Sequence, residues 1–255
     1  MNNKNMTALV SCFARAYHHK HYQTRIFDDF LAEQLLTAAE YQSIADNMAA
    51  GISYFNRDFV GSQEEALKWI VENQLAPATL ARSAFAEAAL EVVAKNNKLQ
   101  YLIFASGYDT YAYRHIDDDN CVVFEIDQDF MIDDKVQRLS RNNIVSTKVN
   151  YLRCDFSTPH WEKTLEQCPA FDSCKLAFCS LLGISYYLTK EDFTATVKKI
   201  AQLIPVNSQI VFDYPFSYED EKILKQSELA KAASEEMRAH YSCQDIEELS
   251  QNASL

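Results

Sequence analysis

The chain has 255 residues, 48% of them hydrophobic, enough to bury a substantial core as one large domain or a domain with an added lobe. Its 24 Lys and Arg against 36 Asp and Glu give a net charge of −12, which excludes a broad electrostatic grip on a phosphate backbone and argues against a nucleic-acid partner. No run of about twenty apolar residues occurs, the first apolar stretch is too short for a signal peptide, and seven scattered cysteines suit a reducing compartment; the expectation is a cytoplasmic protein with no membrane partner.

Up to about residue 97 the pattern is helical. Three segments, TALVSCFARAYHH (7–19), DDFLAEQLLTAAEYQSIADNMAAGISYF (28–55) and the stretch 62–96, carry apolar residues at three- and four-residue spacing. Leu80, Ala84, Ala88 and Val92 form one predicted buried stripe. The HHKH cluster (His18, His19, His21) has no acidic or cysteine partner at ligand spacing and reads as a solvated helix face, so no metal is expected.

From Leu99 the texture changes to short apolar runs, LQYLIFAS, CVVFEID, TKVNYLRCDF, CKLAFCSLLGISYYL and SQIVFDYPF, separated by polar helix-like segments. Strand and helix in alternation imply a doubly wound α/β fold, mainly parallel, with helices on both faces. Strands buried on both sides read as continuous apolar runs, as YLIFA and CVVFEI do. The last segment, 217–255, is charged and helical, and the C-terminal strands of the usual sheet are not visible before the chain ends at Leu255. The expected organisation is a helical N-terminal cover (1–97), an α/β core (98–216) and a helical segment covering the substrate entrance (217–255).

In open α/β sheets ligands sit at the carboxyl ends of the strands, beside the point where strand order reverses. The first strand ends at FASGYDT, where Gly107 lets the backbone approach a ligand. The second ends at FEIDQD, which places Glu125 and Asp127 where an acid accepts hydrogen bonds from ribose hydroxyls. The third ends at RCDF, offering Asp155 as an acceptor and Phe156 as a wall for an adenine ring. Together these describe an adenosine site. A pyrophosphate needs several bare backbone amides at a helix N-terminus, and a turn with one glycine followed by the anionic Asp109 does not supply them. The cofactor expected is therefore S-adenosylmethionine rather than a dinucleotide, which also argues against a nicotinamide-dependent oxidoreductase.

Several motifs, in order along nearly the whole chain, resemble the leucine carboxyl methyltransferase family of class I S-adenosylmethionine-dependent O-methyltransferases. FARAYHHKHYQTRIFDDFLAEQLL is similar to its Arg-Ala stretch and Asp-x-x-Ala, LARSAFAEAAL to its Ala-Arg-Thr helix, and FASGYDTYAYR to its Gly-x-Gly-x-Asp-Thr-x-x-x-Arg turn. FEIDQDFMIDDK resembles its Glu-x-Asp with a helical Lys, CDFSTPHWEKTL its Asp-Leu…Trp segment, and LLGISYYLTKEDF its Glu-Gly-x-x-x-Tyr-Leu segment. The resemblance implies that Arg82 holds the methionine carboxylate, Gly107 lines the methionine, Asp127 binds ribose, Asp155 and the backbone of Phe156 read adenine, and Tyr187 orients the acceptor. Three positions depart from the pattern: Ala105 replaces the first glycine of the turn, Ala84 the second basic residue of the helix, and Leu182 the acid that by the resemblance accepts from the methionine ammonium or a nearby group.

Asp109 and Arg114 are expected to form a salt bridge that shapes the turn. Tyr186 and Lys190 match the Tyr-x-x-x-Lys spacing of short-chain dehydrogenases by coincidence, and Cys168, Cys174 and Cys179 lack the paired spacing of zinc knuckles. A carboxylate acceptor is ionised at neutral pH and needs no general base, in keeping with a sequence that shows no nucleophile–base constellation. The function expected is methyl transfer to a carboxylate or hydroxyl of a small molecule or peptide C-terminus. The alternative is a catalytically impaired binding or regulatory module of the same fold. Oligomeric state leaves no signal.

Overall fold

A computed structural model of the chain describes residues 6–116, 119–156, 158–216 and 237–253. Helix α1 spans Met6–His21 and α2 Ala38–Ala50. Between them the predicted long helix over 28–55 is interrupted: Ala32–Leu35 form a single tight turn, and a new helix starts only at Thr37. The reason is a capping box, in which the Thr37 hydroxyl accepts the amide of Glu40 and the Glu40 carboxylate accepts that of Thr37.

Helix α3 (Gln63–Ile70) runs on through a widened ten-residue π-helical segment, Val71–Leu80, into α4 (Ala81–Ala94). Pro77 lies inside that segment. Proline has no N–H, and its ring meets the carbonyl four residues back, so the regular ladder cannot pass it. The Asn73 amide donates to the Trp69 carbonyl at 2.8 Å, giving that carbonyl a partner in the widened turn.

Five parallel strands follow: β1 (Leu99–Phe104), β2 (Cys121–Asp127), β3 (Val149–Arg153), β4 (Ala177–Leu181) and β5 (Gln209–Phe212). Their order is β3-β2-β1-β4-β5, so all five expected apolar runs are strands of one sheet. Order reverses between β1 and β4. Helices α5 (Asp129–Arg141), α6 (Lys190–Leu203) and α7 (Cys243–Ala253) complete the layers, and among the described residues no helix is long and apolar enough to cross a membrane.

Alternation along each strand sends side chains to two cores. Tyr101, Ile103, Val123 and Phe178 face α1, α2 and α5, while Leu102, Phe104, Phe124 and Leu181 face the layer that holds α6 and α7. Helix α7 buries Leu249 and Ala253 there and is tied to α6 by Lys190 and Asp245 at 2.8 Å. The rest of the expected cover, 217–236, lies outside the described residues.

Two local expectations are corrected. The buried stripe of α4 is Ala86, Leu90 and Ala94, and Val92 is 74% exposed. The sequence of α4 is apolar almost all round, so periodicity alone favoured the wrong face. In the histidine cluster, His18 is buried and its Nε2 accepts the Ile26 amide, although no metal-ligating group forms among the described residues.

Candidate active site

Parallel strands bring their carboxyl ends to one edge of the sheet, and the residues singled out in the sequence lie along that edge in the order of the strands. Gly107 follows β1 and Gly183 follows β4, so the two glycines flank the point where strand order reverses. Both have left-handed backbones, with φ of +49° and +74°. A Cβ on Gly107 would meet nothing closer than 3.6 Å, so it is the backbone conformation, not space, that favours glycine there. On Gly183 a Cβ would lie 2.9 Å from both terminal nitrogens of Arg82, so a larger residue would have to displace the guanidinium as well as strain the backbone.

Ala105, where the family pattern has glycine, also has a positive φ of 52°. The turn thus keeps its left-handed shape and carries the strain of an L side chain in it, on the order of 1 kcal/mol. Its shape is held from outside. The Arg15 guanidinium donates to the Tyr108 carbonyl at 2.7 Å and to Asp29 at 2.8 Å, both contacts buried. These two residues are the Arg-Ala and Asp-x-x-Ala positions of the sequence motif.

The expected pair of Asp109 with Arg114 is not formed. Arg114 pairs with Glu87, lies 3.6 Å from Asp29 and donates to the Thr110 hydroxyl, whereas Asp109 accepts the Tyr111 amide. Glu87 and Asp29 arrive from distant segments, which local spacing cannot show.

Asp127 ends β2 and is the acid that reaches the edge. Its carboxylate accepts the Gly107 amide and the Gln128 amide, each at 2.7 Å, and joins the ends of β1 and β2. Burial raises its pKa while the two amides oppose that rise. Among the described residues each oxygen retains a lone pair, as a ribose diol would use. Glu125, one pleat earlier, points into the core and pairs with the fully buried Lys135 Nζ at 2.6 Å; burial raises this carboxyl against the pull of the lysine. The sequence left the two acids open; the register assigns them separate tasks.

After β3, the Asp155 carbonyl accepts the Thr158 amide and hydroxyl, shaping the turn. Phe156 packs on Phe104 and Trp161, with centroids 5.7 and 5.3 Å away, and remains half-buried.

Arg82 crosses from α4 to the far side of the switch point. Its Nη1 donates to Asp213 Oδ2 at 3.0 Å, and its Nη2 lies 3.5 Å from the Ser11 hydroxyl of α1. Asp213, immediately after β5, was not anticipated. Its Oδ1 accepts the Gly183 amide at 2.6 Å, its Oδ2 also accepts the Tyr186 hydroxyl at 3.1 Å, and its backbone carbonyl accepts the Ser185 hydroxyl. The available signal was positional: an acid directly after an apolar run, as at Asp127. Tyr187 stands beside Tyr186 in the turn after Gly183, its amide bonded to the Ile184 carbonyl. Tyr186 and Lys190 face different acids, Asp213 and Asp245, so their dehydrogenase-like spacing has no counterpart in space.

An acid, an aromatic side chain and a guanidinium beside a glycine lie along one sheet edge, residue types that suit a nucleoside with an amino-acid tail such as S-adenosylmethionine. Fold and edge together define a class of protein, the S-adenosylmethionine-dependent methyltransferases with a Rossmann-like sheet. Within that class the chain belongs to the leucine carboxyl methyltransferase family, whose model matches residues 8–201. It is 32% identical, over all of its length and 87% of the relative's, to the Bacillus subtilis (strain 168) protein YktD, which carries the name of an S-adenosyl-L-methionine-dependent methyltransferase. Among solved structures it resembles a DUF574 family protein from Streptomyces avermitilis, with a TM-score of 0.57 at 16% identity over 79% of this chain and 80% of that one. A Thermobifida fusca methyltransferase gives 0.52 at 12% identity over 80% and 78%. These two are likenesses of fold.

Proposed function

We propose that this methyltransferase acts on oxygen, and specifically on a carboxylate of a small molecule or of a peptide C-terminus. The observation that carries the reading is the state of the groups at the strand ends. Asp127 is engaged by two backbone amides, and Asp213 by an amide, a guanidinium and a phenol. Burial raises the Tyr186 hydroxyl well above its usual range, so at neutral pH it is a donor and cannot take a proton. These groups are suited to holding and aligning, and an acceptor that is already an anion asks for nothing more.

S-adenosylmethionine supplies an activated methyl group on a sulfonium. The chain's own residues supply position and exclude water, which is where proximity makes its contribution. In this reading Arg82 receives the methionine carboxylate, Gly107 lies along the methionine, Asp127 takes the ribose, Asp155 and the Phe156 backbone read the adenine, and Tyr187 orients the acceptor. In the same reading the helices within 6–97 enclose that acceptor.

The test uses methyl-labelled S-adenosylmethionine with a panel of carboxylic acids, peptides and phenols. A methyl ester loses its label in mild alkali and an ether keeps it. Alkali-labile label, formed with S-adenosylhomocysteine, is expected; alkali-stable label would overturn the carboxylate reading, and stable label on a phenol would assign a hydroxyl acceptor instead.

A further inference from the structure

We propose that Asp213 holds the ammonium of the cofactor's methionine tail, the task for which the chain has no acid at Leu182. The inference rests on the S-adenosylmethionine site described above. An amino-acid tail is a zwitterion, and a site with Arg82 alone would answer only its carboxylate. The structure places the missing charge beside that guanidinium: Asp213 Oδ2 lies 3.0 Å from Arg82 Nη1, while Oδ1 accepts the amide of Gly183 at 2.6 Å. Leu182, the residue before Gly183, has an aliphatic side chain and cannot accept a proton or a hydrogen bond. Asp213 stands at the end of β5, one strand over from Leu182, and meets the glycine that follows Leu182.

Three features favour a ligand-binding task over a purely structural pair. The two side chains are 21% and 18% exposed, so the pair is partly open to solvent and not sealed in the core. A carboxylate has about four acceptor positions, and among the described residues Arg82, Gly183 and Tyr186 use three, leaving one on Oδ1 for an ammonium proton. Finally, the Ser185 hydroxyl donates to the Asp213 backbone carbonyl at 2.6 Å and the Tyr186 hydroxyl to its side chain, so the carboxylate is fixed from two directions before any ligand arrives.

The test is a cycle on protein and ligand, read by calorimetric titration. The ligands are S-adenosylhomocysteine, its deaminated analogue, which keeps the carboxylate and lacks the ammonium, and 5′-methylthioadenosine, which lacks the whole tail. Asp213→Asn is expected to weaken S-adenosylhomocysteine roughly ten- to hundredfold, as loss of one charge-assisted contact does. It should leave the other two ligands within about twofold, and adding Leu182→Glu should recover part of the loss. An equal loss for the deaminated analogue would overturn the inference, because Asp213 would then act only by positioning Arg82. Unchanged binding of S-adenosylhomocysteine would overturn it as well.

Binding of 5′-methylthioadenosine reports that the variant is folded. Where that binding is lost, the wild-type protein decides: equal affinity for S-adenosylhomocysteine and its deaminated analogue removes any ammonium acceptor. A wild-type protein that binds none of the three ligands overturns the cofactor reading itself, and the inference with it.

Discussion

The carboxylate of Asp127 accepts the amide of Gly107 at 2.7 Å, so a single side chain fixes the distance between the ends of two neighbouring strands. The same acid is the proposed ribose acceptor. Asp127→Ala is expected to lower S-adenosylmethionine affinity by at least tenfold, since a buried charged acceptor and its turn are both lost. Because burial raises the Asp127 pKa above the usual aspartate value of 3.8, its protonated form appears at higher pH than for an exposed aspartate. Affinity should therefore fall on acidification with a midpoint above 3.8. Titration calorimetry across pH checks both outcomes, and affinity that is flat down to pH 4 would argue against the role.

Ala105 has a φ of 52°. Ala105→Gly should relieve about 1 kcal/mol of strain, raising Tm by roughly 2–4 °C in a chain of this size. Ala105→Val should lower Tm by more, because a branched Cβ fits the left-handed region worse. Thermal denaturation of the two variants provides the comparison, and a fall in Tm for the glycine variant would show that the turn does not store this strain.

At Gly183 the space is already filled by Arg82, 2.9 Å from where a Cβ would stand. Gly183→Ala is expected to push the guanidinium from its place and weaken cofactor binding by tenfold or more. Gly107→Ala has room for its Cβ and should act mainly through backbone strain, with a smaller effect on affinity. Comparing the two dissociation constants separates a steric requirement from a conformational one.

Glu40 accepts both terminal nitrogens of Arg138 and caps α2, and its carboxyl is held down at about 2, chiefly by Arg138. A depressed pKa contributes stability that is complete above the ordinary glutamate value near 4.5 and is lost as pH falls towards 2. Glu40→Gln should cost about 1–2 kcal/mol at pH 7, allowing for solvent screening, and the difference from wild type should vanish by about pH 2. Urea unfolding at several pH values measures this directly, and a difference that does not change with pH would point to lost packing instead.

The sheet was readable in the sequence because strands buried on both faces must be apolar throughout, and glycines were so few that Gly107 and Gly183 stood out. The place of Asp127 at a strand end was legible from its distance after Gly107, whereas nothing local in the sequence brought Arg82 to the same edge, since a helix arginine is ordinarily solvated. Asp213 was missed because its partners, Arg82 and Gly183, are 131 and 30 residues away and meet it only through strand order. The same limit explains Arg114, which left Asp109 for Glu87 and Asp29. In α4 the difficulty was the reverse, too much apolar sequence for any one face to be distinguished.

Arg15, Asp29, Arg114 and Glu87 lie almost wholly out of water, and together they link α1, the loop after it, α4 and the turn that carries Gly107. Two cations and two anions in such a place balance only as a set, and removing one strands another without a counter-charge. Natural drift at these four positions should accordingly proceed by joint replacement. A lineage that gives up one of them has to change its neighbours in the same step, or accept a turn that is no longer held in its left-handed shape.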